Sequence, residues 1–337
     1  MNYRALGHTS LQLSEISFGT WTIGGDWGNT DDIEALRALQ AAMDAGVNFF
    51  DTADVYGMGH SEELLAKATQ GKEHNIHIAT KFCRSSDILN PATYSETSIR
   101  HYLEGSLRRL KRDYVDIYQI HCPPMFILKN GSVFEVLEKL MDEGKIRYYG
   151  VSVETVEEGI YTIEHSNAKA LQVIFNLFRQ KPIESLFPLA KQKGVGILAR
   201  LPLASGLLTG KFTPEHCFSE NDHRNFNEHG EKFNVGETFA GLGFVKGVEL
   251  AEQVRWIAEN RGNMTRAALR WILDFDAVTC AIPGFRTTAQ VEDNLKSLEV
   301  PSFSKEEHQR LGEFYRIQVQ PWIRGAYYSI MPHKSFA

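Results

Sequence analysis

Eight short apolar segments alternate with longer stretches whose apolar residues recur at helical spacing. The segments are Ile16–Phe18, Val47–Phe50, Ile76–Thr80, Val115–Ile120, Tyr148–Val151, Leu171–Phe175, Gly196–Ala199 and Thr279–Ile282. They are apolar along their whole length, which is typical of strands that are buried on both faces of a sheet. Because helical stretches separate them, the sequence predicts a parallel sheet in an α/β fold.

Capping-box patterns indicate where several of the helices begin. A Ser or Thr precedes a Glu by three residues at four places: Thr93/Glu96, Ser132/Glu135, Thr155/Glu158 and Ser304/Glu307. In such a box the two side chains satisfy free backbone N–H groups at the start of a helix. An amphipathic helix is expected after the first box, where the apolar residues are Ile99, Leu103, Leu107 and Leu110.

The chain length of 337 residues allows either two domains or one large barrel. Two doubly wound domains would need a linker rich in Pro, Gly or Ser near the middle, and the sequence has none. We therefore predict a single domain over residues 1–337, an α/β TIM barrel of eight strand–helix units. A β-hairpin of Tyr3–Leu6 and Leu11–Leu13 precedes it. Two segments exceed the minimal barrel and are candidate pocket walls on its C-terminal face, namely Leu201–Thr238 and Gln318–Ala337.

Composition narrows the possible partners and compartments. The net charge of −6 and the lack of a Lys/Arg run argue against nucleic acid as a partner. No apolar stretch approaches the roughly 20 residues that span a bilayer, and the first residues lack an apolar signal core. The cysteines are far apart, without metal-ligand spacing: Cys83, Cys122, Cys217 and Cys280. We expect a cytoplasmic protein with reduced thiols and neither a metal site nor a membrane segment.

Charged residues end three of the predicted strands. Asp51, Lys81 and His121 directly follow the second, third and fourth apolar segments, and Tyr56 lies in the loop after Asp51. Each alone could be a turn cap or a solvated loop residue. In a barrel, however, the C-terminal ends of the strands converge on one face, so these residues are expected to lie together.

Such a quartet suits proton donation by a phenol. Free Tyr has a pKa of about 10, and a lysine ammonium at ~4 Å contributes about 4 kcal/mol at an effective dielectric of ~20. Lys81 is therefore expected to lower the pKa of Tyr56, while Asp51 keeps Lys81 charged. His121 would hydrogen-bond the substrate oxygen or the phenol.

Several motifs in this order resemble those of the aldo-keto reductases, from the first strands to the last helix. Residues 50–57 read FDTADVYG and residues 61–65 read SEELL. Matching residues follow at Thr80–Lys81, Gln119–His121, Gly150–Ser152, Ile282–Thr287, Gln290 and Asn294. The resemblance implies metal-free hydride transfer between a nicotinamide cofactor and an aldehyde or ketone, or the reverse reaction. Tyr56 would be the general acid, tuned by Lys81 and Asp51, and His121 would orient the carbonyl.

The resemblance also implies the binding residues. Those expected at the cofactor are Thr20, Trp21, Asp51, Ser152, Gln172, Arg200, Leu201, Leu203, Gly206, Lys211, Gly284, Arg286, Gln290 and Asn294. Those expected at the substrate are Trp21, Trp27, Tyr56, His121 and Cys122. An arginine at position 286 near a helix start suits a 2′-phosphate, which favours NADPH over NADH. Further aromatic residues that either line the pocket or pack the loops are Phe226, Trp322, Tyr327 and Tyr328.

The sequence departs from the family pattern at three positions. Val153 stands where Asn is usual, Arg200 where many members have the Tyr that stacks on nicotinamide, and Cys122 where a larger residue is common. Two other functions stay open: a regulatory nicotinamide-binding subunit like the potassium-channel β subunits, and a lyase with Lys81 as Schiff-base nucleophile. The small carbonyl or alcohol substrate, and the choice between monomer and homo-oligomer, also stay open.

Overall fold

A computed structural model describes residues 1–25, 27–28 and 30–325. Its strands are β1 Tyr3–Ala5, β2 Gln12–Ser14, β3 Phe18–Gly19, β4 Phe49–Asp51, β5 His77–Phe82, β6 Val115–His121, β7 Ile146–Ser152, β8 Ala170–Ile174, β9 Gly196–Arg200 and β10 Val278–Ile282. Its α-helices are α1 Trp21–Gly24, α2 Asp32–Asp44, α3 His60–Thr69, α4 Glu96–Leu110, α5 Met125–Asn130, α6 Ser132–Asp142, α7 Val156–His165, α8 Leu186–Lys193, α9 His223–Phe226, α10 Phe244–Gln253, α11 Met264–Leu273, α12 Thr288–Leu295 and α13 Lys305–Phe314.

Strands β3 to β10 form one parallel sheet in chain order. Isolated parallel bridges between Ile16 and Ala281 and between Gly19 and Gly284 bring the last strand beside the first. Helix α12 packs beside α2, so the layer of helices also meets across this seam. The predicted (β/α)₈ barrel is confirmed, and each predicted apolar segment contains or overlaps a strand.

The hairpin β1–β2 closes the N-terminal end of the barrel. Its antiparallel register pairs Tyr3 with Ser14 and Ala5 with Gln12. The flanking leucines are buried against side chains of the barrel interior; the apolar group comprises Leu6, Leu11, Leu13, Phe49, Ala79, Ile117, Ala170, Leu198, Cys280 and Ile282. The Arg4 guanidinium donates hydrogen bonds to the carbonyl oxygens of Leu273 and Val278 at 2.7 and 2.8 Å. The apolar contacts and these hydrogen bonds fix the hairpin to both the sheet and its last crossover.

Two of the four predicted capping boxes are present, at Thr155/Glu158 on α7 and at Ser304/Glu307 on α13. The other two predictions are wrong. Ser95, not Thr93, caps α4, because the residues 91–94 form a separate 3₁₀ turn. Ser132 is already inside α6, whose N-cap is Gly131 in a left-handed conformation. A short α5 ends immediately before that glycine, which leaves Ser132 no capping position.

We expect Gly7→Ala to destabilise the fold by about 1–3 kcal/mol, because it overpacks the hairpin turn. Gly7 has φ +51, and a Cβ placed there would lie 2.1 Å from the Gly194 carbonyl oxygen. Gly71→Ala is the matched control, since Gly71 has φ +77 but no atom within 4 Å of the added Cβ. Urea unfolding of the two variants measures the steric part of the cost. Equal losses would show that backbone conformation alone is responsible.

Within the described residues, no helix is both long enough and apolar enough to cross a membrane. The four cysteines are free, with Cys217 exposed and the other three buried.

Candidate active site

Three of the predicted catalytic residues lie at the ends of neighbouring strands. Asp51 is the last residue of β4, Lys81 is the second-last of β5 and His121 is the last of β6. The three strands therefore extend one or two residues beyond the predicted apolar segments, and each of these residues belongs to its strand. The parallel register brings these ends to the same edge of the barrel.

A buried ion pair joins two of these residues. Lys81, which is 0% exposed, donates hydrogen bonds from Nζ to Asp51 Oδ2 at 2.6 Å and to the Thr52 carbonyl oxygen at 2.7 Å. The other carboxylate oxygen of Asp51 accepts from the amides of Gln119 and Gln172, at 3.2 and 2.7 Å. Burial lowers the pKa of Lys81, and the Asp51 carboxylate opposes this shift. Asp51 thus provides the compensation that a buried ammonium requires.

The Tyr56 side chain lies directly above this pair. Its hydroxyl oxygen accepts a hydrogen bond from Lys81 Nζ at 3.3 Å. Its ring stacks on Trp21 with centroids 5.9 Å apart and planes 18° from parallel. Burial, together with the Asp51 and Glu237 carboxylates, raises the pKa of Tyr56 well above 10. The expected lowering by Lys81 is therefore wrong, because burial of the phenol is the largest effect. The group is a protonated hydrogen-bond donor.

His121 completes the quartet. Its ring contacts that of Tyr56 edge-on at 6.0 Å between centroids. Burial and the charges of Arg84, Lys81 and Arg200 lower the pKa of His121 well below 6.5, so the imidazole is neutral. Its buried Nδ1 has no hydrogen-bond partner among the described residues. A neutral imidazole has one N–H donor for a ligand oxygen.

Three members of the quartet, Asp51, Tyr56 and His121, line a cavity of about 1270 Å³. Most of the predicted binding residues line it: Trp21, Trp27, Asp51, Tyr56, His121, Cys122, Gln172, Arg200, Leu201, Leu203, Gly206, Lys211, Gly284, Arg286, Gln290 and Asn294. Three predicted residues do not. Lys81 lies beneath Tyr56, the Thr20 hydroxyl donates to the Asp51 carbonyl oxygen at 3.2 Å, and Ser152 is buried beside Cys122.

Three further cations line the cavity. Arg286 and Lys211 are among the residues expected at the cofactor, and Arg224 of the short helix α9 joins them. Arg224 is held by a two-point ion pair with Asp222, at 2.9 and 2.6 Å, and lies over the Phe218 ring at 4.3 Å. Sequence reasoning missed Arg224, because the long insertion has no periodic pattern that would place it.

The insertion 201–238 forms one wall of the cavity, as predicted. It crosses the mouth of the barrel to reach the loop after α1, where Trp27 and Asp222 form an antiparallel bridge. The tail prediction is wrong for its described part, residues 318–325, which do not line the cavity. Arg324 instead donates to the carbonyl oxygen of Gly241 at 2.9 Å, beyond the insertion. Phe226 and Trp322 do not line the cavity either, whereas Phe233 does. Tyr327 and Tyr328 lie outside the described residues.

A group of four charged residues lies beside the quartet, and sequence analysis identified only one of them, Arg200. Arg84 donates to Glu237 at 2.7 Å and to Glu154 at 3.1 Å, and Arg200 lies 3.5 Å from Glu237. We call Arg84, Glu154, Arg200 and Glu237 the charge cluster. Arg84 and Glu154 each follow a predicted strand by a few residues, which is a signal that strand-end reasoning could have used. Glu237 lies near the end of the insertion, and the course of that loop places it in the cluster.

Comparison with known proteins agrees with this architecture. The Aldo/keto reductase family model matches residues 15–316. The chain is 34% identical to aldo-keto reductase YhdN of Bacillus subtilis (strain 168), covering 87% of each protein. It is 29% identical to a probable voltage-gated potassium channel subunit beta of Oryza sativa subsp. japonica, covering 89% of this chain and 92% of that protein. Glycerol dehydrogenase AKR11B4 from Gluconobacter oxydans superposes with a TM-score of 0.76 at 30% identity, covering 97% of this chain and 99% of that structure. The chain belongs to the aldo/keto reductase family of oxidoreductases.

Proposed function

We propose that this protein reduces an aldehyde or ketone with NADPH, or runs the reverse oxidation, with Tyr56 as the general acid. The observation that supports this most directly is the chain of contacts from Tyr56 through Lys81 to Asp51 at the end of a large cavity. A protonated phenol held by an ammonium is suited to give its proton to a developing alkoxide.

The residues of the cavity fit a nicotinamide dinucleotide. Lys211 and Arg286 provide positive charge at the end where phosphates would bind, while the Gln172 amide lies near the quartet. A cofactor held there supplies hydride to the carbonyl carbon. Gly206 has φ +98, and a Cβ added there would lie 2.9 Å from the Phe212 ring and 3.6 Å from Nη1 of Arg224. Both the backbone conformation and the close packing against Phe212 favour glycine at this position.

The chain's own groups handle the proton and orient the substrate. Tyr56 donates its proton to the substrate oxygen, and Lys81 stabilises the phenolate that forms. Neutral His121 donates a hydrogen bond to the same oxygen and fixes its orientation. No metal is required. Cys122, Glu154 and Glu237 converge as a possible ligand group, but the guanidiniums of Arg84 and Arg200 contact it and disfavour a cation.

A coupled absorbance screen of NADPH and NADH against varied aldehydes and ketones tests the proposal. Turnover with NADPH supports it. The second candidate is a regulatory nicotinamide-binding subunit, which the similarity to a potassium channel subunit beta favours. Binding of NADPH without reduction of any carbonyl would support that candidate instead. Borohydride trapping of substrate on Lys81 would point to a lyase, which the ion pair with Asp51 argues against.

We also propose that the chain works as one domain in the cytoplasm, with a small molecule rather than nucleic acid as its partner. The family match over residues 15–316 and the four free thiols support this proposal.

Arg286→Met is expected to weaken NADPH binding about 10- to 100-fold, because a charge-assisted hydrogen bond contributes about 1.5–3 kcal/mol. NADH binding should change little, since NADH lacks the 2′-phosphate. Fluorescence titration with both cofactors measures the ratio. Arg108→Met is the control, because Arg108 is exposed on α4 and does not line the cavity. An equal loss for both cofactors would assign Arg286 to another part of the dinucleotide.

A further inference from the structure

A groove between two helices of the outer layer collects cations on an otherwise acidic protein. It lies between α3 and α4, measures about 500 Å³ and is lined by Glu63, Lys67, Gly105, Arg108, Arg109 and Lys111. None of these residues lines the barrel cavity. Four of the six carry a positive charge and one carries a negative charge, whereas the whole chain has a net charge of −6. The groove is therefore a local region of positive potential.

Three of the cations in the groove have no carboxylate partner. Among the residues that the structure describes, Lys67, Arg108 and Lys111 form no ion pair. All three are exposed, and Arg108 donates only from Nε, to the Glu104 carbonyl oxygen at 3.3 Å. Lys67 and Arg108 lie in the last turns of their helices, where a cation suits the helix dipole. That interaction accounts for a cation at either helix end, but not for the groove between the helices.

The fourth cation, Arg109, is oriented by a buried partner. Its Nε donates to Oε2 of Glu62 at 2.6 Å, and Glu62 is 0% exposed. Its Nη2 donates to the Ser106 hydroxyl at 3.4 Å, whereas its Nη1 donates to no described residue. Nη1 lies over Gly105, where an added Cβ would be 3.1 Å from it. Glycine is unfavourable inside a helix, but its missing side chain gives the guanidinium its place and keeps the floor of the groove open.

We propose that this groove binds a phosphate group carried by a small molecule, at a site separate from the barrel cavity. The site goes beyond the proposed carbonyl reduction and does not depend on it. A phosphate group carries a charge of about −1.5 to −2 near neutral pH, and its oxygens accept several hydrogen bonds. A guanidinium can bind two of these oxygens with its planar fork, while a lysine ammonium acts as a point charge. The groove is larger than one phosphate, so the rest of the molecule also fits.

Other anions fit the groove less well. A single carboxylate carries one charge and would leave most of the four cations without a partner. Nucleic acid presents a long row of phosphates and needs an extended basic surface, whereas these cations come from one pair of helices. An acidic protein segment would bring further carboxylates beside Glu63, which already lines the groove. A compact group with two charges therefore matches the groove better than an extended chain does.

Calorimetric titration of pyrophosphate into the protein saturated with NADP+ tests the proposal at low salt. Lys67→Met/Arg108→Met is expected to weaken binding roughly 5-fold for each cation removed, the upper range for an exposed ion pair. Lys193→Met is the matched control, because Lys193 is exposed in the last turn of α8 and forms no ion pair within the described residues. Arg286→Met concerns the barrel cavity and should also leave this binding unchanged. A Kd above about 1 mM, or equal losses in the double variant and either single variant, would overturn the proposal.

Two further titrations examine the shape of the groove and the class of ligand. Gly105→Leu keeps every charge but fills the floor of the groove, so it should weaken pyrophosphate binding by at least about 10-fold. Unchanged affinity would contradict a defined site, because a diffuse positive potential would survive the substitution. If circular dichroism shows that Gly105→Leu does not fold, the comparison of the double variant with Lys193→Met still decides. Tighter binding of a tetraglutamate peptide than of pyrophosphate, lost in the double variant, would overturn the phosphate assignment in favour of an acidic protein segment.

Discussion

Tyr56→Phe is expected to lower kcat for carbonyl reduction by about 100- to 10,000-fold, the contribution of a positioned general acid. The substitution removes only the hydroxyl that Lys81 contacts at 3.3 Å. Lys81 keeps its bonds to Asp51 and to the Thr52 carbonyl, so the fold should be little affected. Steady-state kinetics with NADPH, together with a fluorescence titration of NADPH, measures turnover and cofactor affinity separately. Affinity should be retained.

Tyr118→Phe is a matched control for this experiment. Tyr118 is buried on β6, does not line the cavity, and its hydroxyl has no hydrogen-bond partner within the described part of the chain. Its removal should preserve turnover and leave stability unchanged or higher, because no satisfied bond is lost. If Tyr56→Phe weakened NADPH binding as much as it slowed turnover, Tyr56 would be a binding residue rather than the acid.

Lys81→Met is expected to decrease the free energy of unfolding by about 3–5 kcal/mol, as removal of one partner from a buried ion pair does. Asp51, which is 4% exposed, would lose its cation. The amides of Gln119 and Gln172 still donate to one carboxylate oxygen, which offsets only part of the loss. Urea unfolding monitored by circular dichroism measures the change. Turnover should also fall, because the phenolate loses its neighbouring ammonium.

The double variant Lys81→Met/Asp51→Asn identifies the cause. If an uncompensated carboxylate destabilises Lys81→Met, the second substitution should recover part of the loss, as expected for residues in direct contact. Losses that simply add would mean that Asp51 is not charged in Lys81→Met. A single-variant loss of less than about 1 kcal/mol would mean that the pair resembles an exposed salt bridge.

The strands of the barrel are predictable because burial on both faces leaves a continuous apolar segment. The segment Tyr148–Val151, for example, identifies β7. The strand itself runs from Ile146 to Ser152, because its first two residues and its last residue lie outside the continuous apolar segment. Helix starts are less certain. A helix is capped by whichever of several nearby Ser or Thr residues has an extended backbone. For α4 that residue is Ser95, with φ −66 and ψ 153.

The quartet was predictable for a topological reason, whereas Glu237 of the charge cluster was not. Asp51, Lys81 and His121 are placed by strand ends, which any parallel barrel brings together. The position of Glu237 depends on an insertion whose course involves left-handed backbone at non-glycine residues, such as Ala204 with φ 49 and Ser205 with φ 57. No local sequence rule predicts that conformation, since such residues rarely adopt it. The direction of the pKa shift of Tyr56 was not predictable either, because it depends mainly on how deeply the phenol is buried.

The hairpin at the closed end of the barrel has a consequence for synthesis. Arg4 is translated well before the carbonyls that it binds, which are 269 and 274 residues further along the chain. Contacts so distant in sequence form late, because the intervening chain must be ordered first. The leucines of the hairpin therefore stay exposed to water or to a chaperone until β10 has been translated. The hairpin is translated before the barrel that it closes, yet its contacts are completed after those of the barrel.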